Sequence, residues 1–247
     1  MMLLIDDIPK LPLPWWEGVG GGGMKLFWGG LTIMVVLFLS AGTGLGADAV
    51  KLPPPAYQGK MSVEEALKKR RTVRQFANRS LDLAQVSQLL WGADGKSDPR
   101  GLRTAPSAGA TYPLEIHLVV GERGVATLAP GLYRYRPDSH TLELTQTGDL
   151  RAPVVRASLH QTWMAEAPVM VIFAAEYRRC MARYGERGVR YTHMEVGHAG
   201  QNLFLQAEAL GLACGIVGAF EDRDLREVLH LPQHHEPLLI MPVGYSH

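Results

Sequence analysis

Hydrophobic positions along this chain follow two periods, and segments of the two kinds are interspersed. From Asp82 to Trp91 (DLAQVSQLLW), Leu83, Val86, Leu89 and Leu90 fall three and four apart, which predicts an amphipathic helix. Met194 to Leu210 predicts a longer helix, with Val196, Ala199, Leu203, Ala207 and Leu210 on one stripe and Gly211 as its stop. Ser62-Val-Glu-Glu65 has a capping-box pattern, so a helix is expected from Ser62 to about Arg70. EIHLVVGE (115–122) reads as a strand, and YRYR and TLEL flank Pro137-Asp138-Ser139-His140 as a hairpin. APVMVIFAAE (167–176) is a continuous apolar run, the pattern of a central strand covered on both faces. CGIVGAF (214–220) and PLLIMPVGY (237–245) are further strand candidates, with a short helix, DLREVL (224–229), between them.

The spacing does not repeat as βαβ units, so the expected class is α+β in a single domain spanning 62–247. Residues 49–61 form a Pro-rich lead-in expected to run extended over the surface. Ahead of it, Leu26 to Ala47 carries no charge and centres on LTIMVVLFL, with Lys25 before it and small residues after. That predicts a signal peptide at 24–48 and an exported, periplasmic protein. An uncleaved membrane anchor over 26–47 is the alternative, and would be the protein's one membrane contact. Residues 1–23 fit neither reading, since Asp6 and Asp7 precede the apolar core and GVGGGG precedes Met24. Met24 is therefore expected to be the true start. The formal net charge of +1 gives no reason to expect nucleic acid as a partner.

Chemistry-bearing residues gather in three places. Arg70-Arg71-Thr72-Val73-Arg74 offers three guanidinium forks and a hydroxyl, a set that can clamp a phosphate. Positions 70, 72 and 74 share a face if the chain leaves the helix extended. Alone, such a run reads more readily as a solvated basic patch. Thr104 to Pro113 (TAPSAGATYP) is a loop of small residues whose backbone can approach a ligand closely. A nucleophilic Ser107 is disfavoured, because Ala105 stands where G-x-S-x-G needs its first glycine. GLACGIVGAF (211–220) is a helix stop followed by a glycine-rich strand, a pattern that admits a flat ligand.

RRTVRQF (70–76) is similar to an R-R-S-x-R-x-F opening, and RTAPSAGATYPLEIHLVV (103–120) to a P-S-x-G-x-x-Y-P-x-E signature. With GLYRYRPDSHTLEL, GDLR and GHAGQNLFLQAEALGLACGIVGAF, these segments together resemble the nitroreductase superfamily, in its SagB/ThcOx-type dehydrogenase branch. The resemblance runs from about Val63 to Tyr245. It implies a nitroreductase-like fold, a mixed and mostly antiparallel central sheet flanked by helices, and an intertwined homodimer binding FMN. Arg70, Thr72 and Arg74, with Arg71 beside them, would hold the FMN phosphate and ribityl oxygens. Pro106, Ser107, Ala108 and Gly109 would line the isoalloxazine from the partner subunit. Ile216, Val217, Gly218 and Ala219 would set backbone N–H groups near flavin N5 and O4. Hydride would move through N5, so the protein need supply no nucleophile.

Two departures are visible. The basic residues that follow the last strand in many nitroreductases are absent from Gly244-Tyr245-Ser246-His247, and Ala110 and Tyr112 replace the Asn and Gln of the wider family's loop. The resemblance leaves two reactions open: reduction of nitro or quinone compounds by NAD(P)H, or azoline-type oxidation of a peptide. An exported flavin- or ligand-binding protein without turnover is the alternative function. Tyr112 and His198 are the candidates for proton transfer, with packing or interface roles as the ordinary reading. No metal site is expected: His193 and His198 lie on different helix faces, and His234-His235-Glu236 reads as a solvated loop. Cys180 and Cys214 lack CxxC spacing.

Overall fold

Val169–Ala175, the continuous apolar run, lies between two long antiparallel neighbours, Leu114–Val120 and Glu236–Gly244. The computed structural model describes residues 49–247, so the expected signal segment and residues 1–23 lie outside the described residues. The strands are β1 (Val50–Lys51), β2 (Leu114–Val120), β3 (Gly131–Arg136), β4 (Thr141–Thr147), β5 (Val169–Ala175), β6 (Ala213–Cys214) and β7 (Glu236–Gly244). They form one sheet in the order β1-β4-β3-β2-β5-β7-β6. Every ladder is antiparallel, and parallel contacts occur as isolated bridges at Thr72–Cys214 and Leu81–Val125. The helices are α1 (Val63–Lys69), α2 (Leu83–Asp94), α3 (Arg151–Ala157), α4 (Tyr177–Tyr184), α5 (Arg187–Ala209) and α6 (Asp222–Val228).

Successive side chains of a strand point to opposite faces, and β5 uses both. Val169, Val171 and Phe173 pack with Leu89 and Leu90 of α2 and Leu203 and Ala207 of α5. Met170, Ile172 and Ala174 pack with Val154 of α3 and Leu225 of α6. Cover on both faces explains why the run is continuous rather than alternating. Each large apolar side chain buried there contributes roughly 1.5–3 kcal/mol.

The helix ends follow local chemistry. Asp82 and Gln85 form a complete capping box on α2. Ser62 accepts from the Glu65 N–H at 3.1 Å, but the Glu65 carboxylate pairs with Lys69 instead of returning the bond. Gly211, at φ +70°, ends α5: its N–H bonds to Glu208 and that of Leu212 to Ala207, satisfying two terminal carbonyls.

Four features differ from the sequence reading. The helix expected from Met194 begins at Arg187, after a bend at Gly185. α3 and α4 were not expected; Pro153 sits in the first turn of α3, where a missing N–H is harmless. Of CGIVGAF only Cys214 is strand, as the end of β6, because the pairing partner at Gly215 is Pro242, which has no N–H to give. The chain rejoins β7 at a single Val217–Ile240 bridge. The lead-in, finally, is tied down: Val50 pairs with Leu142, and Gln88 brackets Ala56 with bonds of 2.8 and 3.0 Å. Cys180 and Cys214 are buried and free.

Candidate active site

The arginine segment leaves α1 at Arg70, whose ψ of 125° turns the chain extended. It runs beside β6, with Thr72 bridged to Cys214 and the Val73 N–H bonded to the Cys214 carbonyl at 3.0 Å. Gly215 makes that close pass possible: a Cβ there would stand 2.7 Å from the Trp163 ring and 2.9 Å from the Val73 carbonyl. Two guanidiniums lie over aromatic faces, Arg70 over Phe204 at 4.9 Å and Arg74 over Trp163 at 5.8 Å. Neither forms an ion pair among the described residues. Arg71 turns away and donates to the Lys68 and Arg70 carbonyls.

Past Gly215 the backbone opens. Val217 is buried and bonded both ways to Ile240, whereas Ile216, Gly218 and Ala219 are exposed. The N–H groups of these three donate to no protein acceptor among the described residues, and Gly218 faces open space. Buried N–H groups are seldom left unpaired, and exposed ones beside free cations can take an anionic or carbonyl-rich ligand. The Cys214 thiol is pushed well up by burial and is no nucleophile.

The second loop is strained. Gly109, Ala110 and Tyr112 all have positive φ, at 59°, 53° and 44°. For the two non-glycine residues that costs about 1–3 kcal/mol each. Several contacts enforce it. The Tyr112 N–H donates to Ser107 Oγ at 2.9 Å, Arg179 donates to the Tyr112 carbonyl, and the Arg103 guanidinium stacks on the Tyr112 ring at 4.4 Å. Tyr184 and Arg183 press on Gly109, where a Cβ would meet the Tyr184 hydroxyl at 2.6 Å. Pro106 is exposed at the loop's shoulder.

Beneath this loop lies Glu195 of α5, 2% exposed, with neither carboxylate oxygen completing a hydrogen bond among the described residues. Burial raises its pKa to about 7; the Ser107 hydroxyl and Ala108 N–H face it and pull the other way without closing to bonding geometry. Asp94 is nearby, also raised to about 7 by burial despite its 2.5 Å contact with Arg103. Arg103 thus pairs with one of two buried acids, Asp94, and acts on the other, Glu195, only through its field. His198 is exposed one turn along α5 from Glu195, beside exposed Met194, Gly197 and Gln201.

Along α5 the arginine edge and the strained Ser107–Tyr112 turn sit at different levels, although the loop's first residue, Thr104, accepts from Asn202 at 3.2 Å. Phe204 marks the first on α5 and Glu195 the second, nine residues or about 13 Å apart along the axis. Glu195, Asp94, Arg103 and Tyr184 escaped the sequence reading. The available signal was an acidic residue at position 195, four before Ala199 on the core-facing stripe. On the opposite sheet face, His235 is buried rather than solvated, and Glu236 opens β7.

The model of the nitroreductase family matches residues 67–245. The chain belongs to the nitroreductase family. A protein of Methanocaldococcus jannaschii named for the nitroreductases is 44% identical over 197 residues, covering 80% of this chain and 97% of the relative. The microcin B17-processing protein McbC of Escherichia coli is 26% identical over 66% of this chain. The trifolitoxin-processing protein TfxB of Rhizobium leguminosarum is 28% identical over 59%. The chain spans 62% and 40% of those two proteins' own lengths. Their peptide-processing names agree with the resemblance to the SagB/ThcOx-type branch. Among solved structures, a nitroreductase-named protein of Ralstonia eutropha superposes with TM-score 0.72 at 28% identity, covering 83% of this chain and 92% of that one. The nitroreductase-like α+β fold expected from the sequence is therefore the fold found.

Proposed function

We propose that this nitroreductase-family chain is an FMN-dependent oxidoreductase, acting as a homodimer with two shared sites. The observation that carries the reading is the edge where Arg70 and Arg74, unpaired among the described residues, lie beside the Ile216, Gly218 and Ala219 N–H groups, which donate to no acceptor there. A phosphate-bearing planar cofactor needs that combination: fixed cations for the phosphate and free backbone donors for a carbonyl-rich ring. When bound, FMN supplies the atom through which hydride moves. Arg70, Thr72 and Arg74 then hold phosphate and ribityl oxygens. The 216–219 N–H groups stabilise negative charge on the ring and cost no reorganisation, because the chain there is already open.

In the same proposal the Ser107–Tyr112 loop faces the ring from the partner subunit, which accounts for the 13 Å gap within one chain. Glu195, titrating near neutrality under Ser107, can hold or release a proton at its carboxyl as the ring's charge changes. The names of McbC and TfxB support a peptide-borne heterocycle as substrate, and the nitroreductase-named relatives support a nitro or quinone acceptor fed by NAD(P)H. Residues 24–48 would direct export, which N-terminal sequencing of the native protein tests directly.

The deciding measurement is a visible spectrum of protein starting at residue 49, dialysed after addition of FMN. Retained flavin at about one equivalent per chain, lost in Arg70→Ala, supports the reading. Colourless wild-type protein would refute it.

A further inference from the structure

At the far end of β7 from the arginine segment, three ligating side chains converge. The β5–β7 register sets Ala175 opposite Glu236, so the next residue on one strand, Glu176, meets the preceding residue on the other, His235. His235 Nε2 lies 3.9 Å from Glu176 Oε2, and His234 Nε2 lies 3.8 Å from Glu176 Oε1. All three ligand atoms fall within 4.8 Å of one another. These separations are too long for hydrogen bonds. They are close to the ~3.4 Å that separates ligand atoms around a tetrahedral metal with bonds of about 2.1 Å.

Three further observations point to a ligand. His235 is 4% exposed, and its Nε2, the nitrogen turned toward Glu176, makes no hydrogen bond among the described residues. Arg179 donates to Glu176 Oε2 at 2.8 Å and orients the carboxylate, so that Oε1 remains without a protein donor and faces His234. The backbone is fixed on both sides: the Glu176 N–H bonds to the Pro113 carbonyl, the His235 N–H to that of Pro232, and Arg226 grips the His235 carbonyl. The His234 side chain is 41% exposed, which gives an entry path and room for a water as fourth ligand.

We propose that Glu176, His234 and His235 form a site for a divalent transition metal of the zinc class. Two imidazole nitrogens and one carboxylate oxygen suit such an ion and suit magnesium or calcium poorly. The guanidinium of Arg179 acts as the outer partner that holds the carboxylate in place. The ion would pin the turn before β7 to the β5–α4 junction. About seven residues of β7, some 23 Å, separate this site from the Thr72–Cys214 bridge. The inference therefore stands apart from the flavin reading.

The test is calorimetric titration of chelator-treated full-length protein with Zn2+ alone. One equivalent should bind, His234→Ala and Glu176→Gln should each lose at least about tenfold in affinity, and His198→Ala on α5 should bind as wild type does. His234 is surface-exposed, so its variant should unfold like the zinc-free wild type. Co2+ in the wild-type protein gives a second measurement that needs no variant, and should show the intense visible bands of a tetrahedral site. Absence of zinc binding, binding that survives His234→Ala, or a weak six-coordinate cobalt spectrum would each overturn the site.

Discussion

Replacing Glu195 by Gln should remove a pH-dependent cost that the protein carries under its strained loop. The carboxyl has a folded-state pKa of about 7 against an ordinary 4.5, raised mainly by burial. Between those values the folded chain keeps a proton that the unfolded chain releases. Its contribution to stability is fully present below about pH 4.5, declines as pH rises toward 7, and levels off above that. At about 1.4 kcal/mol per pH unit the gap corresponds to roughly 3 kcal/mol. Water at the loop edge screens part of this, so about 2 kcal/mol is expected. Glutamine keeps the shape and stays neutral. Urea unfolding of both proteins should give similar stabilities near pH 4, and a variant ahead by about 2 kcal/mol near pH 8. Comparing variant with wild type cancels the titration of the histidines. Parallel curves across the range would refute the reasoning, and would mean that Ser107 and Ala108 hold a charged carboxylate as well as water does.

Three other outcomes follow from the geometry. Arg70→Ala should weaken FMN binding about 10- to 150-fold, the range for loss of a charged hydrogen bond, while Arg71→Ala, whose guanidinium is spent on backbone carbonyls, should change it little; flavin fluorescence titration reads both. Gly215→Ala must push apart Trp163 and the Val73 carbonyl, so a loss of about 1–3 kcal/mol is expected in thermal unfolding, together with weaker flavin retention. Burial lowers the His117 pKa to about 4, and neither ring nitrogen has a partner among the described residues, so its contribution to stability is present above about pH 6.5 and is lost as pH falls toward 4. His117→Gln should accordingly move the acid unfolding midpoint, followed by circular dichroism, to lower pH.

What the sequence revealed was periodic. The continuous β5 run, the α2 and α5 stripes and the hairpin all declare themselves at spacings of two or three to four residues. α4 did not, because Tyr177–Tyr184 buries only Cys180 fully and otherwise carries arginines and tyrosines. The strand after α5 is shorter than its composition suggests for a reason lying 27 residues away: nothing in CGIVGAF shows that Gly215 must pair with Pro242. The arginine cluster was legible as a set but not in its division of labour. Arg70 and Arg74 are unpaired over rings supplied by Phe204 and Trp163, and Arg71 is spent on its own backbone. Buried acids are harder still, since Glu195 and Asp94 gain their unusual titration from neighbours distant in sequence.

The proposed dimer can be tested against the geometry of α5 itself. If the loop over Glu195 in one subunit completes the arginine edge beside Phe204 in the other, a two-fold axis must exchange positions 195 and 204. It must then pass near their midpoint, at residues 199–200, because an isologous interface presents the same patch twice. The exposed positions Gly197, His198 and Gln201 flank that midpoint. Gly197 is the informative one: a Cβ there meets nothing within 4 Å among the described residues. In a monomer, Gly197→Leu should therefore be harmless or stabilise the helix by up to about 1 kcal/mol. In the dimer, a bulky side chain at the axis would collide with its own copy. Sedimentation should then report folded monomers, and these should lose FMN although every flavin contact within the chain is intact. A Gly197→Leu protein that stays dimeric and yellow would remove the axis from α5, and with it the explanation for the 13 Å gap.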